Sequence, residues 1–254
     1  MSALPEHQFD DIEQQYDAAY SGMWIFLSTE VLFFGGVFFA YVIYRSTYYD
    51  AFAEGSRELS VFLGGLNTGV LLCSSLFMAL AVHAAQRGRN KQLIRYLIIT
   101  ELIGALFLGI KFLEYYKHYK EHLIPGLNFS YPGENASQVQ LFMVFYFILT
   151  GMHAVHMLVG LGVLSALAIL AYRGKFSSHY YNPVDIGGLY WHFVDIVWVF
   201  IFPLLYLVKR TGGLANTSSP PKPTSASGRP CWSCLALRLD SLTCHWAPSM
   251  WWPR

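Results

Sequence analysis

Residues 139–172 read VQLFMVFYFILTGMHAVHMLVGLGVLSALAILAY, a run without a single Asp, Glu, Lys or Arg. A helix needs roughly 20 mostly apolar residues to cross the hydrocarbon core of a bilayer, and this stretch exceeds that length. Four further runs of the same kind lie at about 23–44, 59–85, 93–116 and 188–208. They are continuous, whereas the strands of a membrane barrel are about ten residues long with alternating character. In hydrocarbon every backbone polar group has to be paired within its own segment, so a continuous span is helical. The expected fold class is an all-α integral membrane protein, a bundle of five transmembrane helices.

The composition agrees. Of 254 residues, 54% are hydrophobic and 13% charged, against about 25% charged in an ordinary soluble domain. So little charge cannot solvate a globular surface of this size, which leaves a surface facing lipid. A net charge of +1 sets up no field toward nucleic acid, and no nucleic-acid partner is expected. Residues 1–21 contain no Lys or Arg, so the first apolar run reads as a retained span rather than a cleaved leader.

Connections between the runs are marked by turn signals: QRGRNKQ at 86–92, Pro125-Gly126 and Pro132-Gly133, and Asn182-Pro183. Strict alternation puts Arg87, Arg89, Lys91, Arg95, Arg173 and Lys175 on the side of the N-terminus, against Arg45, Arg57, Lys117 and Lys120 opposite. The excess favours a cytoplasmic N-terminus in a multi-pass protein of the cell inner (plasma) membrane. The expected organisation is a cytoplasmic segment (1–21), a five-helix membrane domain (22–210) and a Pro/Ser-rich tail (211–254), read as disordered. Cys231, Cys234 and Cys244 sit in that tail and Cys73 in an apolar run, a distribution that is no disulfide framework.

The chemistry lies in side chains that a bilayer disfavours. A charge at bilayer depth costs at least ~2.5–3.5 kcal/mol on insertion scales, so each needs a partner, water or a neutral form. Glu30 lies in the first run, and Glu101, Lys111 and Glu114 lie in the third. His192 and Asp195 lie in the fifth. Lys111 and Glu114 are three apart and can pair directly; His192 and Asp195 share that spacing and can hydrogen-bond. Glu30 and Glu101 have no partner within their own helices. Glu30 is expected to carry a proton or to bond to His83 or His153 on another helix. Structural glue between helices and a proton-exchanging or lipid-facing carboxyl both remain open for these groups. His153 and His156, also three apart, can share a helix face, yet a haem or copper centre needs more ligands than His83, His153, His156 and His192 offer. No metal site is expected. Gly151, Gly160 and Gly162 suggest close helix packing.

The runs also carry motifs in a recognisable order. They are Trp24-Ile-Phe-Leu-Ser-Thr-Glu30 through Phe34; Leu66-Asn67-Thr68 with Leu71-Leu-Cys-Ser74-Ser75 and His83; and Phe107 through Lys111 to Glu114-Tyr115. The fourth run has Thr150-Gly-Met-His153-Ala-Val-His156 with Gly160, and the fifth has Tyr190-Trp-His192-Phe-Val-Asp195-Ile-Val-Trp198. Together, one per span over about residues 20–210, they resemble subunit III of haem–copper oxidases in its bacterial five-helix form, with a caa-type-like stretch at Tyr180–Asp185. The resemblance implies a non-redox subunit of a proton-pumping terminal oxidase in aerobic respiration from cytochrome c to dioxygen, not itself catalytic. Its implied partners are oxidase subunits I and II and phospholipid, with haem and copper in the partner subunits and no cofactor in this chain. Glu30 matches the family's in-membrane glutamate. His83, Glu101, Glu114, His153, His156, His192 and Asp195 are further lipid- or proton-related candidates. Lys111 stands where many family members carry a neutral residue, which keeps open an accessory subunit of a nitric oxide reductase, and a quinol oxidase stays open because the electron-donor site lies on subunit II. A stand-alone transporter is the alternative from another class.

Overall fold

The computed structural model describes residues 11–126, 129–131, 135–177 and 180–208. The tail with Cys231, Cys234 and Cys244 lies outside the described residues. Among the described residues six helices follow in order: α1 Ile12–Thr47, α2 Tyr49–Arg57, α3 Val61–Gln86, α4 Asn90–Lys120, α5 Ala136–Tyr172 and α6 Asn182–Tyr206. All but α2 are long and apolar enough to cross a membrane. No strand occurs among the described residues, apart from an isolated bridge between Ser177 and Tyr180.

Local chemistry sets the ends. Asp11 caps α1 by accepting from the Gln14 N–H at 2.6 Å, and Ser60 caps α3 at Leu63. The capping residue places the start of α1 at Ile12, well before the apolar run at 23. The α3–α4 turn closes on Gly88, whose φ of 65° is accessible to glycine without penalty. There the Arg89 N–H reaches the Ala84 carbonyl and the Gly88 N–H reaches Ala85, the paired bonds of a Schellman ending. Gly174 ends α5 in the same way.

Helix α6 is the centre of the bundle and packs against α1, α2, α3 and α5, while α3 and α4 form an antiparallel hairpin. More than half of the apolar window of α6 is buried, against about one sixth for α1. The indole of Trp191 fills a slot that only glycine leaves open. A Cβ on Gly104 of α4 would come within 2.8 Å of it, and one on Gly160 of α5 within 3.0 Å. Gly162, by contrast, faces nothing within 4 Å, and Gly151 meets only the Tyr115 hydroxyl at 4.0 Å. Of the glycines expected at a helix contact, Gly160 serves that role and Gly162 does not. Outward faces carry large apolar side chains such as Leu32, Phe62 and Phe112. Since lipid is as apolar as these residues, packing and interhelical hydrogen bonds hold the bundle rather than a drive to hide apolar surface.

The short helix α2 was not anticipated in the first connection. Its Phe52 is fully buried against Tyr41 and Phe142, with ring centroids 5.5 Å away in both cases. Nine residues with two buried apolar side chains are too brief a pattern to distinguish from a polar loop.

Candidate functional site

The polar residues of the spans resolve into three groups, each assembled from several helices. The first joins α1 to α5. The Nε2 of His156 lies 3.0 Å from Glu30 Oε2, and its Nδ1 lies 2.9 Å from the Met152 carbonyl. A carbonyl only accepts, so Nδ1 carries a hydrogen. A bond at Nε2 then requires one proton, held either by the imidazole or by the carboxyl. Both placements give a pair of zero net charge, which relieves the cost of a lone carboxylate in the membrane. The expected partners of Glu30 were His83 or His153, and His156 takes that place. His83 is exposed in the last turn of α3. His153 is fully enclosed between Phe107 and Trp198, at centroid distances of 5.5 and 5.1 Å. The three-residue step between the histidines rotates them far enough that one faces α1 and the other faces the core. Tyr190 of α6 braces the same turn by donating to the His156 carbonyl at 3.1 Å.

The second group joins α4, α5 and α6. Lys111 Nζ donates to Glu114 Oε2 and to the Tyr206 hydroxyl, both at 2.8 Å, and Tyr206 donates in turn to Glu114 Oε1 at 2.8 Å. Tyr146 approaches Nζ at 3.4 Å. The ammonium also lies 4.8 Å from the Trp198 ring and 5.2 Å from that of Tyr146, within cation–π range. Lys111 is 4% exposed and Glu114 2%, so the pair sits in a cage of aromatic faces and hydroxyls. His118, one turn beyond Glu114, is buried with Nδ1 3.7 Å from Glu121. Tyr146, Tyr206 and His118 were not singled out in the sequence; they are spread over three helices, and no local spacing marks them.

The third group meshes α3 with α6. Trp198 donates to Thr68 and Trp191 to Ser74, both at 3.1 Å, while Ser75 Oγ meets His192 Nδ1 at 2.7 Å. The seven-residue steps Thr68 to Ser75 and Trp191 to Trp198 return each helix to the same face after two turns, and the helices run antiparallel. His192 and Asp195 share a helix face, but no bond joins them. His192 turns to Ser75, and the same hydroxyl is the polar group beside the Asp195 carboxyl. Both oxygens of Asp195 are buried without a hydrogen-bond partner.

Glu101 lies apart from all three. It accepts from Ser165 of α5 in a shallow cleft of about 300 Å³ between Ile98, Leu102, Ala105 and Leu161. Among the described residues no three His, Cys, Asp or Glu side chains converge to hold a metal ion.

Known proteins resemble the chain along this whole region. The family model described as cytochrome c oxidase subunit III matches residues 14–209. A cytochrome c oxidase subunit 3 of Synechocystis sp. is 35% identical over 74% of this chain and 74% of its own length. A quinol oxidase subunit 3 of Bacillus spizizenii is 30% identical over 76% of this chain and 88% of its own. A haem–copper oxidase subunit I+III of Aeropyrum pernix is 33% identical over 76% of this chain and 23% of its own.

Proposed function

We infer the function from family membership: the chain belongs to the cytochrome c oxidase subunit III family, and it is a multi-pass membrane component of a haem–copper oxidase. In this reading it is the non-redox third subunit of a proton-pumping terminal oxidase. It packs against subunit I with subunit II nearby, binds phospholipid between its helices and supports proton uptake by the complex. It resides in the plasma membrane with the N-terminus in the cytoplasm. The observation that carries the reading is the extent of the family match, which runs through all five spans.

Contact with subunit I draws support from the relative in which the two are one polypeptide. Lipid binding draws support from a cavity of about 540 Å³ between α1, α5 and α6. Met23, Phe26, Val163, Leu167 and Tyr190 give it apolar walls, and Gln15 and Asn182 supply polar groups. That is the form of an acyl-chain site with room for a headgroup at its rim. A role in proton handling draws support from the one-proton pair of Glu30 and His156. The Bacillus relative supports a second reading in which quinol replaces cytochrome c as electron donor.

Purification through a tag on this chain tests the assignment. A haem-bearing subunit is expected in one-to-one ratio, with the optical spectrum of a haem–copper oxidase and bound phospholipid in the mass inventory. A solitary chain without haem would overturn it. Oxygen consumption by a Glu30→Gln variant over many turnovers tests the proton role: an unchanged rate and unchanged inactivation reduce Glu30 to a structural group.

A further inference from the structure

One face of α6 carries Asp185, Gly188, His192 and Asp195, at steps of three, four and three residues, so a polar track runs along the helix from its first turn inward. Ten residues at 1.5 Å put Asp195 about 15 Å beyond Asp185, near the middle of a hydrocarbon core about 30 Å thick. At the outer end of the track Asp185 accepts from Tyr20 of α1 at 3.0 Å. Tyr16 of α1 and Gln86 of α3 lie beside it. A cavity of about 290 Å³ begins there, between Tyr20, Val82, Gln86, Asp185, Gly188 and His192. Gly188 lets α6 approach α3 closely beside it, since a Cβ there would lie 2.9 Å from Val82.

His192 lines the cavity as well. Its Nδ1 is bonded to Ser75 at 2.7 Å, and beyond Ser75 lies Asp195, 4% exposed with both oxygens unpartnered. Among the described residues no Lys, Arg or His forms an ion pair with Asp195. A carboxylate at mid-membrane without a cation is too costly to persist, so the stable form of Asp195 is the neutral acid. The track reaching it consists of groups that both give and take hydrogens.

We propose that Asp195 is a proton-binding site, filled and emptied through the cavity beside Asp185 by way of His192 and Ser75. A proton from a hydronium ion in the cavity binds the remaining ring nitrogen of His192, and Nδ1 passes its hydrogen to Ser75 Oγ. The Ser75 hydroxyl, which makes no hydrogen bond to Asp195 at rest, then turns from His192 and passes its hydrogen to an Asp195 oxygen. One O–H or N–H bond forms for each that breaks, no electron is transferred, and the reverse sequence empties the site. The site is served from the face where α6 begins, the face that also holds the N-terminus of α1. The proposal rests on the chain spanning a membrane and not on which oxidase holds it.

Infrared hydrogen–deuterium exchange on the assembly as it purifies tests it. The wild-type minus Asp195→Asn difference spectrum should isolate the carbonyl-stretch band of one protonated carboxylic acid, and that band should shift on transfer to heavy water. Ser75→Ala and His192→Phe should keep the band but slow its shift by about a hundredfold, the usual worth of a positioned acid–base group. Ser75→Thr, which restores the hydroxyl, should recover the rate. Absence of that band from the difference spectrum, or exchange at the wild-type rate in Ser75→Ala, would overturn the proposal. Neither result bears on the oxidase assignment, which co-purification decides.

Discussion

Replacing Lys111 by Met tests the central ion pair most directly. Methionine keeps the unbranched apolar stem inside α4, so the loss is confined to the ammonium. That group makes two bonds of 2.8 Å, to Glu114 Oε2 and to the Tyr206 hydroxyl. Hydrogen bonds to charged groups are worth about 1.5–3 kcal/mol each, which puts the loss in the range of about 3–5 kcal/mol found when one member of a buried pair is removed. Glu114 would retain a single donor, Tyr206 at 2.8 Å. Glu114→Gln removes the opposite charge and should cost less, about 1–3 kcal/mol, because the rings of Trp198 and Tyr146 remain within cation–π range of the ammonium and such contacts are worth about 2 kcal/mol when desolvated. The double variant leaves no lone charge, so the two losses should fall short of adding by about 2–3 kcal/mol. Denaturant titration in mixed micelles, followed by the fluorescence of buried Trp191 and Trp198, measures all three. Strict additivity, or a greater loss in Glu114→Gln than in Lys111→Met, would refute the argument that the aromatic cage favours the cation.

Other consequences are simpler to read. Gly104→Ala and Gly160→Ala drive a methyl into the Trp191 indole and should each cost about 1–3 kcal/mol. Gly35→Ala and Gly36→Ala meet nothing within 4 Å and should be neutral or slightly stabilising; the thermal midpoints of the four variants give the comparison. His156→Phe leaves Glu30 without its partner and should cost about 1–3 kcal/mol. Glu30→Gln still donates to Nε2 and should cost less, and the opposite order in a melting series would argue against a shared proton. Tyr20→Phe removes the bond that pins α1 to Asp185 of α6, worth about 1 kcal/mol. Faster amide exchange confined to the first turns of α1 is the expected sign.

Length and hydropathy alone determined the spans, because insertion into a bilayer depends on the summed transfer energy of some 20 residues and not on their neighbours in space. The Lys111–Glu114 pair was legible for a related reason: a three-residue step on one helix brings two side chains together whatever surrounds them. The motif order of the five spans was equally open to reading, and it pointed to the family to which the chain belongs. Tertiary structure decided the rest. That Glu30 meets His156, that Ser75 stands between His192 and Asp195, and that Tyr146 and Tyr206 complete the Lys111 cage all depend on how each helix is rotated about its own axis. In a soluble bundle the apolar stripe reveals that rotation. Here lipid and neighbouring helices are both apolar, every face of a span reads alike, and only the packing of Trp191 into its glycine slot and of α3 against α6 selects which polar groups come within bonding distance.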